Sequence, residues 1–261
     1  MSDLEDRVAL ITGSSSGLGL AAAEALAQRG ARIALSSRGG EKLETARERL
    51  AHKGVEVIAV AADVRQLPDL EELVDEVEET LGPIDILVPN GGGPAAKPAL
   101  ELDEADWQDA IPLALLFVPR LCRLVLPGMV RRGWGRIVAI NSVSARQPIA
   151  NLALSNALRP AVLGYLKTLA LEVAADGVTV NAVLPGYTRT ARQVELAQMR
   201  SEQTGVELSD LLDAPAADTA IGRLAEPSEI GSMIGYLCSG EASYVTGQSI
   251  AVEGGYLKGL F

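Results

Sequence analysis

The run Val8–Leu20, VALITGSSSGLGL, constrains the fold of this chain more than any other stretch. Four apolar residues, Val8 to Ile11, break at Thr12-Gly13, cross three serines and resume at Leu18 with helical spacing that continues to about Arg29. Such a pattern is a buried strand, a glycine turn and a helix. The three glycines act differently. Gly13 permits the tight turn, Gly17 lets backbone approach a ligand, and Gly19 lets the helix pack near the strand. Free N–H groups at the helix start face outward with the positive end of the helix dipole behind them, so a phosphate or pyrophosphate is the expected guest. A helix start closed by a glycine turn satisfies the same pattern without any ligand, and the rest of the chain has to decide.

Downstream, short apolar runs alternate with helical stretches. Strands are expected at 31–36, 55–61, 84–88, 136–140 and 178–183, and helices at 41–53, 67–81, 107–132 and 150–174. The strands are apolar on both faces, the signature of a parallel sheet covered on two sides by helices through right-handed crossovers. Ligands bind beyond the carboxyl ends of such strands, so the segments that follow them should carry the chemistry. From Thr188 to Gly222 the alternation gives way to charged helical sequence, which reads as a lid or substrate-covering segment. A helix at 227–239 and a strand at 248–252 restore the pattern, for about seven strands in all.

No proline-rich or low-complexity linker divides the 261 residues, so residues 1–261 are expected to form one domain. A formal net charge of −11 argues against a nucleic-acid surface or an anionic-membrane footprint. Cys122 and Cys238 lie far apart in apolar helical contexts and read as buried free thiols, which fits a reducing cytoplasm. The acidic start MSDLEDR enters the first strand directly, so no signal peptide is expected, and no uninterrupted apolar run reaches the ~20 residues of a membrane span. His52 ends a charged helix and is expected on the surface, and no cluster has metal-ligand spacing.

Thr12-Gly13-Ser14-Ser15-Ser16-Gly17-Leu18-Gly19, Asp63-Val64, Asn90-Gly91-Gly92, Ser142, Asn181, Pro185-Gly186 and Gly254-Gly255 together resemble the landmarks of the short-chain dehydrogenase/reductase family over essentially the whole chain. GRIVAINSVS and GVTVNAVLPG are similar in texture to its 3-oxoacyl-acyl-carrier-protein reductases. The resemblance implies a Rossmann-like, doubly wound α/β fold, a homotetramer built partly through helices 107–132 and 150–174, and a dinucleotide in the strand-end crevice. Its implied contacts are Gly13, Ser15, Ser16, Gly17, Leu18 and Gly19 at the glycine turn, and Asp63 and Val64 at the adenine. Asn90, Gly91 and Gly92 stand beside the adenosine ribose, and Arg159, Pro185, Gly186, Thr188 and Thr190 complete the set. At the end of the second strand a carboxylate would repel a 2′-phosphate; Ser36-Ser37-Arg38 offers hydroxyl donors and a guanidinium instead, which favours NADP over NAD, with NAD still open.

The family's chemistry rests on a serine, a tyrosine thirteen residues later, a lysine four further on, and an asparagine on the preceding long helix. Counted from Ser142, the tyrosine position is Ser155 and the lysine position is Arg159; counted back from Val125-Leu126-Pro127, the asparagine position is Ala114. Tyr165 and Lys167 cannot replace the missing pair, because a spacing of two puts them on different helix faces and Tyr165 lies ~15 Å along the axis from Ser155. Ser155 and Arg159, at i and i+4, share one face. A serine is a far poorer acid than a phenol of pKa about 10, and an arginine does not release its proton near neutral pH. Tyr187 is an outside candidate for a phenol from another side, and Arg146 and Gln147 are candidates for recognising an anionic or carbonyl group.

Three functions remain open on the sequence. The leading one is an NADP(H)-dependent oxidoreductase of carbonyl or alcohol substrates in which Ser142, Ser155 and Arg159 hold the active positions. The second is a cofactor-binding sensor or inactive subunit without turnover, and the third is lyase-type chemistry on the same scaffold.

Overall fold

The computed structural model describes residues 3–260, with residues 192, 196, 200, 203 and 213 described by backbone only. Met1, Ser2 and Phe261, which the single-domain expectation includes, lie outside the described residues. The strands are β1 (Val8–Thr12), β2 (Arg32–Ser37), β3 (Val57–Ala61), β4 (Ile84–Val88), β5 (Gly135–Ile140), β6 (Val178–Pro185) and β7 (Ser249–Val252). They form one sheet in the order β3-β2-β1-β4-β5-β6-β7, with every pair parallel. The order reverses between β1 and β4, which opens a crevice at their carboxyl ends.

The helices are α1 (Gly17–Gln28), α2 (Glu41–Ala51), α3 (Leu67–Thr80), α4 (Glu104–Ile111), α5 (Phe117–Arg132), α6 (Ala153–Val173), α7 (Ala191–Thr204), α8 (Leu208–Ala217) and α9 (Pro227–Cys238). The two sheet faces carry separate apolar clusters. One packs α3, α5 and α6 residues such as Leu73, Leu121 and Leu166 on the sheet; the other packs Leu26 of α1, Leu50 of α2 and Ile234 of α9 on the opposite face. Strands buried on both faces explain why their sequences are continuous apolar runs rather than alternating ones.

One expectation changes. The helix expected over 107–132 begins at Glu104, where Asp103 caps it through a reciprocal box with Asp106, and it contains a π-helical segment, Pro112–Leu116. Glu104–Arg132 as a whole is long and apolar enough, by length and composition, to cross a membrane, although Arg120 and Arg123 interrupt its apolar run. Its inner residues Phe117, Val118, Leu121, Cys122, Val125 and Met129 are spent in the core against the sheet. Segment 188–222 is the two helices α7 and α8, and its ends are tied by Arg189 N–H to the Ala225 carbonyl and Ala225 N–H to the Tyr187 carbonyl.

Candidate active site

The glycine turn is fixed by its neighbours. Thr12 Oγ1 donates to the Asn90 carbonyl at 2.8 Å, Asn90 N–H returns to Thr12 Oγ1 at 2.9 Å, and Asn90 Nδ2 donates to the Gly13 carbonyl at 3.0 Å. The carboxyl ends of β1 and β4 are thereby clamped together at the crevice. Gly13 has φ +58°, and a Cβ there would stand 2.8 Å from Asn90 Nδ2. At Gly19 a Cβ would stand 2.4 Å from the Gly13 carbonyl oxygen, so only glycine lets α1 lie this close to the turn. A Cβ on Gly17 would stand 3.7 Å from the methyl of Thr190, the residue before α7, so the start of α7 lies close to the turn. Ser16, the residue before α1, makes no side-chain cap, so its hydroxyl leaves the first helix amides uncovered. Ser15 is half-buried beside it, and Leu18 packs towards the core.

At the ends of β2 and β3, Arg38, Ala61, Ala62, Asp63 and Asp69 line a cavity of about 280 Å³. Ser37 is half-buried at its edge, whereas Ser36 is fully buried and its amide is held by Ser14 Oγ at 2.9 Å. The expectation that Ser36 offers a donor to a ligand is therefore corrected; Ser37 and Arg38 remain. Arg65, which sequence reasoning missed, chelates Asp63 through Nε and Nη2 and reaches Asp109 through Nη1 at 3.0 Å. Those hydrogen bonds, with the nearby charge of Arg38, hold the Asp63 carboxyl below the usual carboxylate range. Val64 buries its side chain in the core.

Beyond β5 lies the second half of the site. Ser142 Oγ accepts from Ser144 N–H at 3.1 Å and caps a short turn over Val143–Ala145. That turn brings Ser144, not Ser142, against the tyrosine position: Ser144 Oγ and Ser155 Oγ are 2.9 Å apart and both residues are buried. Arg159 follows one turn later on the same inward face of α6, 8% exposed. Its Nη2 points to the Gly92 carbonyl at 3.5 Å, its Nε has no partner, and its own carbonyl accepts from Asn141 Nδ2 at 3.0 Å. Desolvation pushes the Arg159 guanidinium down to about 10, which still leaves it cationic at neutral pH. Ala114 is fully buried in an apolar cluster with Ala110, Leu154 and Leu158.

Most of the remaining candidates are held by neighbouring groups. Tyr165 is paired with Cys122, whose thiol burial pushes up to about 12, and Lys167 Nζ donates to the Gly247 carbonyl at 3.0 Å. Both cysteines are buried and free. Tyr187 lies edge-on to Tyr256 with ring centroids 5.2 Å apart. Arg146 Nη2 donates to the Ser249 carbonyl at 2.6 Å, and Gln147 accepts from Lys258 N–H at 3.3 Å, so both candidates for ligand recognition are engaged with β7 and the C-terminal segment. Thr188 is buried with its hydroxyl on the Gly186 carbonyl, and Thr190 caps α7 by accepting from Gln193 N–H. Gly186 has room for no side chain, since a Cβ would stand 2.7 Å from Glu253 Cα; Pro185 ends β6 beside it. His52 lies on the surface beside the Glu48 carbonyl, and no metal-holding group of three or more His, Cys, Asp or Glu exists among the described residues.

A family model described as "Enoyl-(Acyl carrier protein) reductase" matches residues 13–257. A 3-oxoacyl-[acyl-carrier-protein] reductase of Vibrio cholerae is 33% identical over 97% of this chain and 98% of its own length. The chain belongs to the short-chain dehydrogenase/reductase family. Among solved structures, L-sorbose reductase from Gluconobacter frateurii, complexed with NADPH and L-sorbose, superposes with a TM-score of 0.94 at 36% identity, covering 98% of each chain. A variant of actinorhodin polyketide ketoreductase with NADPH gives a TM-score of 0.92 at 38% identity, again over 98% of each chain. The chain is thus an oxidoreductase-family protein of ketoreductase type.

Proposed function

We propose that this chain is an NADP(H)-dependent oxidoreductase of carbonyl or alcohol substrates, similar to 3-oxoacyl reductases, that works without the family's tyrosine and lysine. The observation that carries this reading is the contrast between the two halves of the site. The cofactor half keeps a glycine cradle that no Cβ fits at Gly19, a helix start without a side-chain cap, and Arg38 where a carboxylate would repel a 2′-phosphate. The catalytic half keeps its place and burial while its chemistry is Ser155 and Arg159. NADPH-bound relatives of the same fold support the choice of cofactor.

The residues present fit a dinucleotide along the strand ends: the turn from Gly13 to Gly19 and the start of α1 for the pyrophosphate, and Ser37 with Arg38 for the 2′-phosphate. Asp63 and Val64 stand for the adenine, Asn90 to Gly92 for the ribose, and Pro185 to Thr190 for the nicotinamide end. When bound, the cofactor supplies or accepts the hydride. The Ser144–Ser155 pair offers hydroxyl hydrogen bonds to a substrate oxygen, and Arg159 places a fixed positive charge one helical turn away. Neither is a good proton donor near neutral pH, so water or the serine pair relays the proton and proximity supplies much of the rate. Losing a general acid costs roughly 10²- to 10⁴-fold in rate, while dinucleotide binding is untouched by that loss. Segment 188–222 closes over the substrate, the protein is cytoplasmic, and four copies assemble partly through α5 and α6.

A second reading, a cofactor-binding sensor or inactive subunit, draws on two observations: the Ser155 hydroxyl is engaged by Ser144, and Ala114 leaves an apolar cluster where the family has an asparagine. The test is a titration of NADPH and NADH followed by a panel of ketones, alcohols and acyl thioesters, with a working 3-oxoacyl reductase as control. Turnover of any panel member with NADPH supports the enzyme; tight binding with no turnover, while the control is active, supports the sensor.

A further inference from the structure

Arg159 carries a charge that nothing in its surroundings answers. It is 8% exposed, yet no ion pair to it exists among the described residues. Its hydrogen bonding is limited to one long contact from Nη2 to the neutral Gly92 carbonyl, and its Nε is buried with no partner. The other buried arginine, Arg136, differs: it is held by the Gly135 and Gly177 carbonyls and stacks on the Trp134 ring. An enclosed, unpaired cation is among the more expensive things a fold can keep, and a neutral side chain of similar size would relieve that cost. Desolvation alone accounts for the lowered affinity of Arg159 for its proton, with no acidic neighbour opposing it.

The dinucleotide's ribose hydroxyls, which Arg159 would also reach, are neutral and leave its charge unanswered, and we infer that its counter-ion is the substrate's own carboxylate, so that the chain acts on a short oxo acid or hydroxy acid rather than on a neutral ketone or a thioester. A guanidinium presents a planar fork of donors that matches a carboxylate in two parallel hydrogen bonds, which a lysine at the same place cannot do. Ser155 stands four residues earlier on the same face, ~6 Å along the axis, so one small molecule can put its carbonyl oxygen on the serine pair and its carboxylate on Arg159. The formal charge of −11 on the whole chain gives no long-range attraction for an anion, which leaves the selectivity to this local charge. This inference rests on the oxidoreductase reading above, and it names the substrate class for that site.

The experiment is calorimetric binding of pyruvate and of acetoacetate, each against its neutral methyl ester, to wild type, Arg159→Lys and Arg159→Met, with and without NADPH. At least one acid should bind wild type tenfold or more tightly than its ester; the preference should shrink in Arg159→Lys and vanish in Arg159→Met. Equal affinity for acid and ester in wild type, or a tenfold preference that survives in Arg159→Met, overturns the inference. Thermal denaturation of Arg159→Met without ligand is a second readout: it should melt no lower than wild type, because a buried unpaired charge has been removed. A clear fall in Tm would show that the arginine is structurally compensated and would overturn the inference as well. Failure of NADPH to bind wild type would overturn the cofactor reading alone, since the acid preference is read equally without it.

Discussion

Arg38 and Arg159 are cations on which the proposed site turns, and they differ in their setting. Arg38 is exposed at the rim of an open cavity, beside Asp63, and is free to meet a phosphate; Arg159 is enclosed. Replacing Arg38 by Asp should therefore reverse the preference between NADPH and NADH without unfolding the chain. Measured dissociation constants should show NADPH affinity falling about ten- to a hundredfold, of the order expected for losing a charge-assisted, bidentate phosphate contact and adding a repulsion. An unchanged preference would remove Arg38 from the cofactor site. Spacing in the sequence put Ser155 and Arg159 on one face of a helix, and both are buried on that face of α6, because i and i+4 fix a shared face whatever the side chains are. It did not find Ser144: a serine two residues beyond the expected one becomes the partner of Ser155 only through the turn at Val143–Ala145, which no periodicity announces. Arg65 escaped for a similar reason, since its chelation of Asp63 depends on a loop geometry rather than on spacing.

The helical stretch from Glu104 to Arg132 carries the largest departure from a simple reading of its element type. Pro112 has no N–H to give the turn before it, and the chain answers with a π-helical segment over Pro112–Leu116. That segment pushes the Leu113 carbonyl towards the loop after β4: a Cβ on Gly91 would stand 2.9 Å from that oxygen and 3.1 Å from the Phe117 ring. The glycine at position 91 of Asn90-Gly91-Gly92 is thus matched to the shape of this helix. Gly91→Ala should destabilise the protein by about 1–3 kcal/mol, the usual cost of forcing a methyl group into filled space. Chemical denaturation would measure it, and a variant as stable as wild type would mean that the helix and loop part easily. Strand positions were legible to within two residues because the five inner strands are buried on both faces and the edge strands β3 and β7 are half-buried apolar runs; the π segment was not, because its cause is a single missing donor in an otherwise regular apolar pattern.

At the scale of the whole molecule, the parallel order of seven strands brings the carboxyl ends of β1, β4 and β5 to one end of the sheet, where Gly13, Asn90 and Ser142 of the proposed site follow them. Leu171 on α6 and Tyr236 on α9 remain exposed, 76% and 38%, on helices whose other faces are already committed to the core. Sedimentation should give four times the mass of the chain if α5 and α6 meet their copies as proposed, and a monomer at micromolar concentration would contradict that assembly. The alternation of strands and helices made this architecture readable from the sequence, down to the seventh strand at the edge.

An intact cofactor half that Ser155 and Arg159 turn over without a phenol is the centre of the proposed function. It is tested most directly by the rate of NADPH-dependent carbonyl reduction in wild type beside the triple variant Ala114→Asn, Ser155→Tyr, Arg159→Lys. Wild type should turn over at least one carbonyl substrate measurably, and the triple variant should reduce neutral ketones roughly 10²-fold or more faster, as the regained general acid requires. Wild type that binds NADPH yet reduces nothing, while a working relative reduces the same compounds, would contradict it.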